Sequence, residues 1–298
     1  MWKGVINKLD TKSKSIIVIF VFLAGTLQSV PAKNGQEWRV GYLRYVQNPV
    51  STNNEYRVQS MIADYYNGIM SFYGEKCYQW DSLEFIAFDK KGNINNDEAY
   101  SELVNVHGVG SRDFVVADLK SGYYTQYYQE VLCYFIGHGM LSMPEWSYEE
   151  ESRIIQGRLC SKATANFLGR QWIVWFDPEV PLSFGPWLLW GVPGLIIEAE
   201  DAKKEIRFVY HYMEPLADDH RREFLESFYL DSHARHRFDG DVKECELLYT
   251  KFKRDEEFSN RMHGIIGGYV VDKDGKRIKS ENKYYYVPII PDSYWDEK

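Results

Sequence analysis

From Trp38 to Ala199 the chain consists of short apolar and aromatic runs separated by Gly- and Asp-bearing turn signals, and this constrains the fold most. Runs of this kind, too short for core helices and rich in β-branched and aromatic residues, read as strands. Trp38 to Val46, Tyr56 to Ile62 and Ile69 to Tyr73 open the series. Leu83-Glu84-Phe85-Ile86-Ala87-Phe88 continues it and stops at Asp89 to Asn93, where Gly92 supplies a turn. Phe114 to Ala117 and Gly122 to Tyr128 follow, then a long pair, Arg153 to Leu168 and Gln171 to Phe176, then Leu195 to Ala199 and Glu205 to Tyr212. The 23 Tyr, 16 Phe and 9 Trp support the same reading, because flat rings fit a pleated, half-buried surface. The expected fold is mainly β: a large curled antiparallel β-sheet, bowl-like or sandwich-like, with a small helical, α+β C-terminal part.

That C-terminal part begins near residue 215. Asp218 to Glu223 is a polar lead into Phe224, Leu225, Phe228 and Tyr229, spaced as one face of a helix. Val242, Cys245, Leu248, Tyr249 and Phe252 share a second helical face. Gly268 to Val287 reads as a hairpin turning at Asp272 to Gly275. Residues 33–298 are expected to form one β-rich domain, with 215–298 as its extension.

Residues 1–32 read as an export signal. Lys3, Lys8, Lys12 and Lys14 precede the apolar run from Ile16 to Ala24, and small or helix-breaking residues follow at Ser29, Pro31 and Ala32. The run falls well short of the roughly 20 residues needed to cross a bilayer. No second stretch of comparable hydrophobicity follows, so no membrane span is expected after signal removal. The formal charge of −8 becomes about −11 once these residues are removed. An acidic chain is a poor partner for nucleic acid, which is bound by neutralising phosphates with Lys and Arg. The expected location is the periplasm or the outer surface. Cys77, Cys133, Cys160 and Cys245 all lie in the exported part. Their spacing contains no zinc-like pattern, and either disulfides or buried free thiols fit it.

Turn-forming residues are densest between Pro181 and Gly194: Pro181, Gly185, Pro186, Gly191, Pro193 and Gly194. Pro fixes φ and Gly admits left-handed backbone, so the chain changes direction repeatedly here. Pro193-Gly194 suits the centre of a type II turn, from which Leu195 enters a strand. Trp187 and Trp190 would cover apolar surface, with their indole nitrogens meeting backbone carbonyls. Lys162 and Arg170 are the cations embedded in the preceding strand pair. Arg170 follows Gly169 at an expected tight bend and calls for an internal partner, with Asp177, Glu179 or Glu198 as candidates; the alternative is an anion grip inside a concave sheet.

This block resembles the GLPGLI family of exported proteins of Gram-negative bacteria. The hexapeptide that names the family stands here as Gly191-Val192-Pro193-Gly194-Leu195-Ile196, with Val192 where the family usually has Leu. Upstream, Ile155, Gly157, Cys160, Lys162-Ala163-Thr164, Gly169-Arg170 and Trp175 also fit, as do Gly185-Pro186-Trp187 and Trp190. The match covers about 55 residues, with a weaker one from Met61 to Leu83. The resemblance implies no activity, since none is established for the family. It does imply a sheet domain like the non-catalytic module beside the catalytic part of some bacterial N-glycan-releasing amidases. Lys162, Arg170, Trp175, Pro186, Trp187, Trp190, Gly191, Pro193 and Gly194 thus stand as a ligand site or as a signature of the fold.

Catalytic motifs give no sharper reading. No Gly-x-Ser-x-Gly elbow, phosphate loop or dinucleotide fingerprint occurs. His233 and His236 with Asp231, Asp239 and Asp241 have the residue types of a metal site, but Arg beside each His reads as a polar loop. His138, between Gly137 and Gly139, reads as a structural residue in a turn. Asp89 to Asn95 and Asp272 to Lys276 lack the terminal Glu of a calcium loop. The expectation is a non-catalytic binding protein without metal or cofactor, taking an envelope protein or a glycan. The competing readings are an envelope hydrolase for glycans or peptides with acidic catalytic residues, and a purely structural envelope component.

Overall fold

The computed structural model describes residues 37–48, 55–89, 93–105, 112–130, 133–216, 236–262, 270–271, 277–278 and 286–296. All belong to one compact unit, Ala32–Lys298. The segment read as an export signal, the helix expected at 218–229, His233 and the turn at 272–275 lie outside the described residues.

Two antiparallel meanders build the sheet. The first runs through β1 (Trp38–Gln47), β2 (Tyr56–Tyr66), β3 (Ile69–Gly74), β4 (Asp113–Asp118), β5 (Tyr123–Glu130) and β6 (Cys133–Met140). The second runs through β7 (Ser147–Ile155), β8 (Arg158–Phe167), β9 (Arg170–Asp177), β10 (Leu195–Asp201) and β11 (Ile206–Pro215). They join where β1 pairs with β11, and β12 (His236–Asp241) adds to β6, giving one sheet of twelve strands with β7 and β12 at its ends. The β12–β6 pair is parallel, so the sheet is mixed where an antiparallel one was expected. A parallel neighbour requires a crossover, and residues 141–235 separate these two strands in sequence.

Two-residue turns set the registers. Asn67-Gly68, Gln156-Gly157 and Leu168-Gly169 each place both residues at positive φ, the geometry that matches strand twist in tight hairpins. The Gln156-Gly157 turn therefore divides the expected long strand Arg153–Leu168 into β7 and β8.

The expected strand Leu83–Phe88 is instead the end of α1 (Glu75–Ala87), which packs with α2 (Asp97–Asn105) through Ala87, Ala99 and Leu103. Of the two, α1 packs on the sheet face that carries Ile62, Tyr73, Phe114, Tyr127 and Ile136, with Tyr78 in the contact. The opposite face holds the main core: Val40 and Tyr42 of β1, Met61 and Ala63 of β2, Phe72, Val115, Tyr124, Trp172, Val174 and Phe208. The segment 178–194 folds onto that face and buries Leu182, Phe184, Leu188, Leu189 and Val192. Tyr65 of β2 stacks on Phe184 at 4.8 Å, so the sheet curls around this segment. α3 (Val242–Arg254), capped by the Asp241 side chain, covers β5 and β6 on the same face with Cys245, Tyr249 and Phe252. α4 (Glu256–Met262), the short pair β13 (Val270–Val271) and β14 (Arg277–Ile278), and α5 (Asp292–Asp296) complete the described chain.

No helix among the described residues is long and apolar enough to cross a membrane. Cys77, Cys133, Cys160 and Cys245 are all buried thiols; burial pushes Cys133 and Cys160 up to about 11 and Cys245 higher still.

Candidate ligand cavity

The residues singled out by the sequence fall in three separate places. Trp187 and Trp190 are buried in the main core, where Trp172 and Phe167 meet their rings. Trp146 donates to the Trp190 carbonyl at 2.7 Å, but the Trp187 indole N–H has no acceptor among the described residues, against the expectation for it. Pro186 is buried beside them and Pro193 is exposed. Gly191 is left-handed, at φ +95°. Gly194 stands at φ +158° with its N–H donating back to the Val192 carbonyl, so the chain makes a three-residue turn around Pro193 and not a type II turn. A Cβ on Gly194 would lie 2.2 Å from the Asp177 carbonyl oxygen, which is why this position requires Gly.

Lys162 and Trp175 meet across β8 and β9 on the other face of the sheet. The Lys162 ammonium pairs with Glu149 and Glu151, and the Trp175 ring lies under the Arg153 guanidinium at 4.3 Å. Glu198, one of the partners considered for Arg170, binds Arg153 and Arg207 instead. Arg170 is buried at the end of the β8–β9 hairpin. It donates to Asp201 and Glu205 at 2.9 and 2.7 Å and to the carbonyls of Ile289 and Pro288. Asp177 takes Arg158. The internal ion pair thus exists with other acids than those considered, and together with the two carbonyls it engages four of the five guanidinium N–H groups.

His138 is in strand β6, not in a turn. Its Nδ1 meets the Tyr123 and Thr125 hydroxyls at 2.8 and 3.1 Å, and Nε2 meets Asp239 at 3.0 Å. Asp239 also holds Arg237, and Asp241 is spent on the α3 cap. Among the described residues no group of three or more His, Cys, Asp or Glu could hold a metal ion.

The cavity is elsewhere, at one end of the curl. It measures about 540 Å3, opens to solvent, and lies on the core-bearing face. Its walls are Arg44 and Val46 of β1, Arg57 and Gln59 of β2, Asp113 beside Arg112, Tyr128 and Glu130 of β5, Tyr249 and Lys253 of α3, and Tyr286, Val287 and Ile289. Strand alternation puts them there. Arg44 follows Val40 and Tyr42 on the buried side of β1, and Gln59 precedes Met61 and Ala63 on that of β2.

Its polar groups are tied down in a fixed pattern. Arg44 spans the Asp113 carboxylate, at 2.5 and 3.1 Å, and the Gln59 carbonyl oxygen, at 3.1 and 2.8 Å. Burial opposes the charge on Arg44, but Asp113 more than offsets this and holds the guanidinium above its ordinary value. Lys253 and the Tyr249 hydroxyl both donate to Glu130, at 2.8 and 2.9 Å. Tyr128 and Tyr249 stack face to face at 3.9 Å, and the Tyr128 hydroxyl donates to Glu246 behind the wall at 2.7 Å. Burial pushes the Glu246 carboxyl up to about 8, although the Tyr128 hydrogen bond works against this. The cavity thus combines buried tyrosine rings with polar groups held by one another, a mixed lining of the kind that takes a small ligand.

No protein-family model matches the chain, and no curated protein matches it by sequence. Among solved structures it is similar to two of PNGF-II, with TM-scores of 0.44 and 0.45 and identities of 10% and 12%. The matches cover 72% and 73% of this chain, which spans about a third of the length of those proteins.

Proposed function

We propose that the protein is an exported, non-catalytic member of the GLPGLI family that binds a glycan in the cell envelope through this cavity. The observation that carries the binding reading is the lining itself. Tyrosine rings and fixed hydrogen-bonding groups share a cavity of a size suited to small ligands. The family and export readings rest on the hexapeptide at 191–196 and on the character of residues 1–32.

Binding is favoured over hydrolysis by the state of the cavity carboxylates. A glycosidase needs one carboxyl kept protonated as general acid near neutral pH. Asp113 is tied to Arg44, and Glu130 to Lys253 and the Tyr249 hydroxyl, so both cavity carboxyls are already engaged by neighbouring donors. Glu246 is held near the protonated form but lies behind Tyr128, outside the lining.

The test is an array of immobilised glycans probed with residues 33–298, followed by mass spectrometry of the glycans retained. Retention of a defined set of intact glycans is expected. Cleaved products would establish a hydrolase instead. No retention, with one dominant protein recovered by crosslinking in cells, would replace the glycan with a protein partner.

A further inference from the structure

The charges in the cavity lining cancel. Arg44 and Lys253 are tied to Asp113 and Glu130, and Arg57 is matched by Glu55. The Arg112 charge acts on Asp81 and Glu84 of α1, on the other face of the sheet. Recognition therefore falls to neutral groups, and one of them has a fixed orientation. A guanidinium only donates, so the Gln59 side chain turns its oxygen to Arg44, at 3.1 and 2.8 Å. Its amide N–H groups are left at the cavity wall, with no acceptor among the described residues. An apolar surface adjoins them. On this face of β1 and β2 the pair after Arg44–Gln59 is Val46–Arg57, which makes Gln59 and Val46 diagonal neighbours. On its other side Val46 stands opposite Ile206 of β11, and Val287 and Ile289 also line the cavity.

We infer that the ligand carries an N-acetylated amino sugar, whose acetamido carbonyl accepts from the Gln59 amide and whose methyl lies against the apolar wall at Val46. The inference rests on the glycan-binding reading above and adds the chemical class of the sugar. An acetamido group holds a carbonyl oxygen and a methyl on one carbon, so it meets a donor and an apolar surface that stand side by side. A hydroxyl in its place could take the Gln59 hydrogen bond but would bring a polar atom and no methyl to the wall. A free amine would set donors against donors. Arg44 fixes the Gln59 amide before any ligand arrives, so binding costs little side-chain freedom there.

The experiment is titration calorimetry of residues 33–298 with three probes that differ at one substituent: N-acetyllactosamine, lactosamine and lactose. N-acetyllactosamine is expected to bind about tenfold more tightly than either of the others, from one neutral hydrogen bond and one buried methyl. The preference should hold as salt rises, because no charge takes part; its collapse in salt would mark an ionic contact and overturn the inference. Gln59→Glu keeps an acceptor for Arg44 and removes the N–H groups, and should abolish the preference. Val46→Thr puts a hydroxyl in place of a methyl at the wall and should weaken it. Thermal unfolding of each variant confirms the fold. Equal binding of N-acetyllactosamine and lactose overturns the inference and leaves the glycan reading standing. A preference that survives both variants overturns the assignment to this wall. If no probe binds, the glycans retained on the array decide. Retention of N-acetylated glycans alone upholds the inference, retention regardless of N-acetyl groups overturns it, and no retention takes the glycan reading with it.

Discussion

The Arg170 guanidinium donates to the Asp201 carboxylate at 2.9 Å, with both side chains almost wholly buried. Two further donations, to the carbonyls of Pro288 and Ile289, bind the β8–β9 hairpin to a segment more than a hundred residues away in sequence. That segment also forms a wall of the cavity. Arg170 thus connects the block that resembles the GLPGLI family to the site from a distance.

Removing one partner of such a pair leaves the other charged and buried. Arg170→Ala is expected to cost about 3–5 kcal/mol of stability. Lys162→Ala, which releases an exposed ammonium from Glu149 and Glu151, should leave the unfolding midpoint nearly unchanged. Urea unfolding of the two variants checks this, and similar losses would refute it.

The hexapeptide turn makes a backbone prediction. Gly194→Ala should destabilise by about 1–3 kcal/mol or more, because the new methyl meets the Asp177 carbonyl and the backbone has to shift. Gly157→Ala should cost only about 1–2 kcal/mol, the strain of a left-handed residue, since a Cβ there meets nothing within 4 Å. Comparing their melting temperatures decides whether the close approach at Gly194 matters.

Glu246 and Asp81 are carboxyls raised by burial, to about 8 and about 7. Each binds a proton more tightly in the folded chain than in the unfolded one. Above the unfolded carboxylate range the folded state therefore holds more protons, and stability declines as pH rises through 7 and 8. Unfolding free energies at pH 5, 6.5 and 8 should fall in that order. Glu246→Gln should flatten the step nearest pH 8. An unchanged slope in that variant would remove Glu246 as its source.

All four cysteines are buried thiols. The folded protein should react slowly with a thiol reagent such as DTNB at pH 8, and all four should titrate after denaturation. Two or fewer reactive thiols in the denatured protein would show that a disulfide had formed.

Much of the fold was legible because alternation and tight turns are local. The runs at Trp38 to Val46 and Gln171 to Phe176 match β1 and β9, and the face shared by Cys245, Tyr249 and Phe252 matches α3. The run Leu83–Phe88 misleads because composition alone says strand. In the helix Phe85 and Ile86 are exposed while Asp81 is buried, so tertiary packing overrides what the side chains suggest. The parallel β12–β6 pairing depends on contacts between distant strands, which no window of sequence reports.

The cavity was hidden for the same reason: its walls come from residues 44 to 289 and share no spacing. One local signal was available. Arg44 and Gln59 occupy inward positions in otherwise apolar alternations, and a polar side chain there marks either an internal pair or the wall of a site. Here it marks both. The Pro- and Gly-rich block stood out more clearly, yet it forms the packed segment around which the sheet curls.

The central claim is that this cavity holds the ligand, and one measurement tests it directly. Residues 33–298 and an Arg57→Trp variant, whose added bulk is placed at the cavity wall, are titrated calorimetrically with an oligosaccharide retained on the array. The expected result is saturable binding at one ligand per chain, lost in the variant while its melting temperature stays the same. Equal affinity in the filled variant would contradict the account and place the ligand elsewhere on the protein.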